Sequence, residues 1–244
     1  MISSVMYRLI SFADYSNLNY TADNLSCLVK AFDGRDYSFS QLFESNLMGS
    51  IYQGFYCNSS QGFPTISIGS QRIEIGKASN KISGFDLDEI TGLKKQMIDS
   101  VSILLDAFSA KIQDANRIAL VVNFAYFDID DTKKVEFKNR FLNQLDYYKE
   151  KSTTEFVAKY AGLDNIILNG VNERINVIST ISRLFPGQGP GFVTSVDGYG
   201  LEVDINTVAD NKKNRFSFES FGPFVASADS ISNTLSGEIL NGCL

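Results

Sequence analysis

The chain has no histidine in its 244 residues, and that single absence removes a large part of ordinary enzyme chemistry. A Ser-His-Asp triad, histidine acid–base catalysis, imidazole metal ligands and a histidine pH switch are all excluded. Tryptophan is also missing, so the 12% aromatic content is 19 Phe and 11 Tyr. The three cysteines, Cys27, Cys57 and Cys243, are odd in number and far apart. They form no CxxC pair and no disulfide framework, which fits reduced, mostly buried thiols. Cys243 stands second from the end, whereas prenylation needs a cysteine fourth from the end. No apolar run approaches the roughly 18 residues of a membrane span. Met1 to Ile10 has a lone Arg8 inside an apolar run and lacks the basic leader of a signal peptide. The expectation is a soluble, cytoplasmic protein with no membrane partner.

Charge narrows the partners further. Lys and Arg total 22 against 28 Asp and Glu, a net charge of −6. A mildly acidic surface disfavours phosphate backbones, so nucleic acid is not an expected partner. The length suits one large domain or two small ones, and either can bury a core.

Along the chain, residues 3–12 read as an opening strand, followed by a polar loop. Phe39, Leu42, Phe43 and Leu47 stand at helical spacing, which predicts a helix over 38–48. Segments 51–58, 63–70 and 71–78 read as short strands broken by Gly, Pro and Asn. A long helix is predicted over 87–112, where Leu93, Met97, Val101, Leu104 and Phe108 recur at intervals of three or four. Asp86 and Glu89 are spaced as a capping box for it. The nearly continuous apolar run 117–129 suits a central strand covered on both faces. Then come helical patterns over 134–149 and 153–161 and a β-branched strand over 173–185. Strand patterns at 192–196 and 201–208 flank Asp197–Gly200, read as a tight hairpin. Pro223 opens the last helix, with Phe224, Ala228, Ile231, Leu235 and Ile239 as its stripe. The expected fold is α+β: a mostly antiparallel sheet of two similar βαβββα halves, with long helices packed on one face. The halves fall at 1–113 and 114–244 and make one continuous domain.

Residues 124–132, FAYFDIDDT, end an apolar strand in Asp-x-Asp-x-Thr. The segment resembles the first motif of the haloacid dehalogenase-like phosphatases. The resemblance implies Asp128 as nucleophile and Asp130 as acid/base, both holding magnesium, with Thr132 in support. Ser179 or Thr180, at a strand end, would then bind phosphate. A carboxylate nucleophile beside a second carboxylate suits metal-assisted phosphoryl transfer. The chain departs from the family after Thr132. Lys133 and Lys134 replace an apolar residue, and Asp197 and Asp204 precede Lys212 and Lys213 in the wrong order. The bland alternative is a polar strand end with carboxylates near a helix N-terminus. An EF-hand is excluded, because Lys133 stands where Gly is needed and Asn139 where Glu is. Glu136-Phe-Lys138 resembles the carboxylate–lysine pair of restriction-type nucleases, yet falls in a helical pattern.

The loop Phe185-Pro-Gly-Gln-Gly-Pro-Gly191 lacks the Lys-Ser/Thr ending of a P-loop. It resembles the glycine-rich loop of CRISPR RNA-processing proteins. Gly187, Gly189, Gly191, Asp197 and Tyr199 are the candidate binding residues, as tips of flexible connections. Lys212, Lys213 and Arg215, followed by Phe216 and Phe218, form the densest basic and aromatic cluster. LEVDINTV (201–208), a polar connection and a C-terminal helix resemble the ending of a sporadically distributed bacterial family. Its members have about this length and unknown function, and often carry a His in the last helix, which this chain lacks. That resemblance implies the order of elements and no active site.

The function expected is a non-catalytic binding or assembly module, bacterial or phage-related, acting through a protein partner or a homo-oligomer, with no cofactor. A magnesium-dependent phosphohydrolase using Asp128 and Asp130 is one alternative. A nucleic-acid-binding subunit using the Gly-rich loop and the Lys212–Arg215 cluster is the other.

Overall fold

A computed structural model describes residues 4–45, 51–78, 87–127, 131–141, 157–184, 198–210 and 212–243. Among these residues, nine strands and four α-helices follow in the order β1 (Ser4–Phe12), α1 (Ala22–Ala31), β2 (Tyr37–Ser45), β3 (Ile51–Ser59), β4 (Thr65–Ile68), β5 (Arg72–Ala78), α2 (Leu87–Ala107), β6 (Arg117–Phe127), α3 (Asp131–Phe141), β7 (Val157–Leu168), β8 (Val171–Leu184), β9 (Gly198–Thr207) and α4 (Phe221–Cys243). All nine strands join one sheet in the order β2-β3-β4-β5-β1-β6-β9-β8-β7. Every pairing is antiparallel. The class is therefore α+β.

Strand periodicity sorts the residues onto two faces. Val5, Tyr7 and Leu9 of β1 and Ile118, Leu120, Val122, Phe124 and Tyr126 of β6 are buried in the main core. Leu93, Met97, Val101 and Leu104 of α2 and Phe224, Val225, Ala228 and Ile239 of α4 belong to that same cluster. Both long helices thus cover one face of the sheet. No described helix packs on the other face. Even so, Ala119, Val121 and Ala125 of β6 are buried there in two small clusters with Ile10 and Leu184. The continuous apolar run of β6 therefore reflects helices on one side and neighbouring side chains on the other.

Four expectations change. Residues 38–45 are strand, not helix, because β2 pairs along its whole length with β3, from Tyr37↔Ser59 to Ser45↔Ile51. The expected polar loop contains α1, whose first turn is capped where Thr21 Oγ1 accepts from the Asn24 amide at 3.3 Å. Four strands, not three, consequently follow the first short helix. Residues 157–161 open β7 instead of continuing a helix. Gly198–Gly200 are strand residues, each paired on one side with β6 and on the other with β8, so they form no hairpin turn.

The β7–β8 connection is the tight turn. Asn169 and Gly170 have φ of 51° and 79° between the paired Leu168 and Val171. Positive φ at both central residues is what a two-residue type I′ hairpin requires.

Candidate functional site

Among the described strands, β7 is an edge of twelve residues that pairs with β8 alone. Its outer side carries backbone N–H and C=O groups that no described strand pairs. Such edges are usually short, charged or broken by Pro. This one carries one Lys and one Asp, and no Pro. Val157, Leu163 and Ile167 are 65%, 57% and 64% exposed. Beside the strand runs a groove of about 380 Å³ between the sheet and α4. Val177, Ile231 and Leu235 give it apolar walls, and Ser230, Thr234 and Asp164 a polar rim. A Cβ built on Gly162 would meet nothing within 4 Å, so the groove stays open at that point. The other edge, β2, is shorter, with Phe43 exposed at its far end.

An open edge next to a helix-walled groove can take an extended peptide as a tenth strand. Main-chain hydrogen bonds would hold it, and alternate side chains would enter the groove. The edge therefore supplies geometry for strand pairing.

A polar cluster deeper in the core has a different character. Asp229 of α4 is buried and accepts from Tyr7 Oη at 2.9 Å, Lys94 Nζ at 2.5 Å and Asn233 Nδ2 at 3.1 Å. Burial, then the neighbouring Asp229 charge, raise the Tyr7 phenol above its ordinary range. None of these groups lines a described cavity. Their arrangement ties α2, β1 and α4 together.

The residues singled out from the sequence fall partly within the described residues. Asp128, Asp130, Gly187, Gly189, Gly191 and Asp197 lie outside the described residues. Thr132 is exposed in the first turn of α3. Ser179 and Thr180 are mid-strand, not at a strand end, because β8 continues in register to Leu184. Ser179 is buried on the helix-covered side, and Thr180 faces the opposite way. Tyr199 stacks on Phe137 of α3, with ring centroids 4.1 Å apart, and so packs a helix against the sheet.

In the basic cluster, Lys212 and Lys213 are exposed. Arg215 instead holds Glu173 at 3.0 Å, donates to the Asn116 carbonyl at 2.5 Å and lies 4.3 Å over the Phe216 ring. Phe216 is buried and bridges to Ala115, so its face is not open to a base. Among the described residues, no group of three or more Cys, Asp or Glu could hold a metal ion. No described helix is long and apolar enough to cross a membrane.

Sequence reasoning missed β7, its groove and the Asp229 cluster. An available signal was Asn169-Gly170 between two β-branched runs, the commonest mark of a tight hairpin. Comparison with known proteins gives no match to a family model, a curated protein or a solved structure.

Proposed function

We propose that the protein is a non-catalytic binding or assembly module that receives an extended segment of a protein partner on the β7 edge. The single observation that carries this reading is the twelve-residue edge strand, with an outer side that no described strand pairs, beside the α4 groove. Strand addition would flank Val157, Leu163 and Ile167 on the face away from α4 and satisfy the open backbone groups. A second copy of the chain, pairing β7 with β7, would use the same chemistry.

Two further elements belong to this reading. Cytoplasmic residence is supported by the free thiols of Cys27 and Cys57. Duplication is supported by the sheet order, with β1 and β6 adjacent in the middle and β5 and β9 flanking them. Long helices α2 and α4 follow β5 and β9 in the chain.

The test compares wild type with the double variant Leu163→Lys, Ile167→Lys. Both positions are exposed, so the fold is expected to persist. Solution mass and affinity capture from the native host are measured for each. A dimer or captured partner that is lost in the variant is the expected result. A wild-type protein that is strictly monomeric and captures nothing, or a variant that keeps every partner, would overturn the reading.

A further inference from the structure

A cavity of about 70 Å³ lies between the middle of the sheet and the last turns of α2. Leu9 of β1 and Ile73 and Ile75 of β5 form its floor. Leu104 of α2 lines one side, and Phe216 and Phe221, at the approach to α4, line another. Its origin is a short side chain. Val5, Tyr7, Leu9 and Ser11 alternate onto the helix-covered side of β1. Ser11 stands there between its pairing partners Ile73 and Ile118. A serine among these larger apolar residues leaves room above the sheet.

The polar groups of this apolar room are few and specific. Ser11 Oγ and Tyr15 Oη stand 2.6 Å apart, and both residues line the cavity. Burial pushes the Tyr15 phenol up to about 12, so both hydroxyls keep their protons at neutral pH. Two hydroxyls carry two protons, and the bond between them uses one. Among the described residues, no other side chain or carbonyl accepts from the pair. With Tyr15 donating, the spare proton is that of Ser11, which is half-buried and has a side chain that is little more than its hydroxyl. The pair therefore offers one donor to whatever enters. Of the residues lining the cavity one is charged, the exposed Asp114.

We infer that this cavity binds a small uncharged molecule, mainly hydrocarbon, with one acceptor oxygen, the class of the short-chain ketones. Apolar walls with a few convergent polar groups are the usual make-up of a small-molecule site. The floor and walls take the carbon skeleton, and the oxygen accepts the spare proton of the Ser11–Tyr15 pair. A carboxylate is selected against, because no described cation lines the cavity and Asp114 carries the same sign. Volume limits the skeleton. An apolar cavity of about 150 Å³ takes benzene, so one of about half that size suits roughly three to five carbons. The lining comes from β1, β5, α2 and the segments around 115 and 216, none of it from β7, so the inference stands or falls independently of strand addition there.

The probes are butanone, its hydrocarbon isostere in which a methylene replaces the oxygen, and butanoate. Each is titrated into the full-length protein, and the methyl signals of Ile73, Ile75 and Leu104 locate the binding. In wild type, butanone is expected to shift these signals saturably and butanoate to leave them in place. That comparison needs no variant. The double variant Ser11→Ala, Tyr15→Phe removes both hydroxyls, and retained cooperative unfolding would show that it is folded. It should bind butanone about fivefold more weakly, as loss of one uncharged hydrogen bond implies. The isostere should bind it as well as wild type or better, a split that a merely structural role for the pair would not produce. No saturable shift with butanone, butanoate bound as tightly as butanone, or an equal loss of ketone and isostere in the double variant would each overturn the inference.

Discussion

Asp229 sits on the buried side of α4 with three donors around it, and two of them come from far away in the chain. Tyr7 is 222 residues distant and Lys94 is 135. Removing the carboxylate leaves Lys94 as a part-buried charge without its partner, which costs more than a surface ion pair contributes. Asp229→Ala is therefore expected to lower unfolding free energy by about 3 kcal/mol in urea titrations. Asp229→Asn should cost less, because it still accepts from Tyr7. The phenols give a second prediction at this scale. Burial pushes Tyr15, Tyr37, Tyr52 and Tyr126 from 10.0 up to about 12. Between those values the folded phenols keep their protons while unfolded ones lose them. The native state then binds more protons, so stability is fully present below pH 10 and falls as pH rises toward 12. Urea midpoints measured from pH 9 to pH 12 should decline, and less steeply in Tyr126→Phe. A flat profile would contradict the burial of these rings. Cys57 follows the same logic, its thiol held up at about 12 by burial, and should resist a thiol reagent that labels the half-buried Cys27. None of these partnerships was legible in the sequence, since a lone Asp in a helix or Tyr in a strand does not announce a partner two hundred residues away.

Among the elements, those with one unambiguous period were legible and those with two competing periods were not. The stripe of α2 and the apolar run of β6 each fit one pattern. In 38–48, Phe39 and Phe43 satisfy i,i+4 spacing and also share one face of a strand, and pairing with β3 decided between them. α1 went unread because its polar composition and local cap are what a loop also shows. The strand β7 mixes Gly162, Asp164 and Asn165, residues that weaken a strand pattern, and is fixed by the turn at 169–170 and by β8. Glycines give this scale its test. A Cβ on Gly54 would stand 1.9 Å from the Ile68 carbonyl oxygen, so β3 and β4 can pair only with glycine there. Gly54→Ala should destabilise by about 1–3 kcal/mol, the usual result of forcing atoms into a packed site. Gly92, inside α2, meets nothing within 4 Å. Gly92→Ala should stabilise by about 0.5–1 kcal/mol through helix propensity. Thermal unfolding of the two variants should move in opposite directions.

For the molecule as a whole, the arrangement of the central strands decides whether residues 1–113 and 114–244 are separate folding units. β1 and β6 pair over nine residues, from Ser4↔Ala125 to Phe12↔Arg117. β1 would become an edge if the C-terminal part let go, and β6 likewise. The main core draws its side chains from both parts, with Tyr7, Ile75 and Met97 in the same cluster as Val122, Val203 and Phe224. Asp229 of α4 is bonded to Lys94 of α2, so the two long helices are also joined. Neither part can lose its structure without exposing this shared surface, and exposing it removes the burial that stabilises the other. The sequence contains no linker that would permit separate behaviour. Unfolding is thus expected as one transition, although the chain is longer than most two-state domains. Urea curves followed by far-ultraviolet circular dichroism and by tyrosine fluorescence should coincide at every point. Asp229→Ala should shift both curves together, because the group it removes joins the two parts. Two separated transitions, or a shift confined to one probe, would mean that each part holds a core of its own and that the β1–β6 pairing merely joins them.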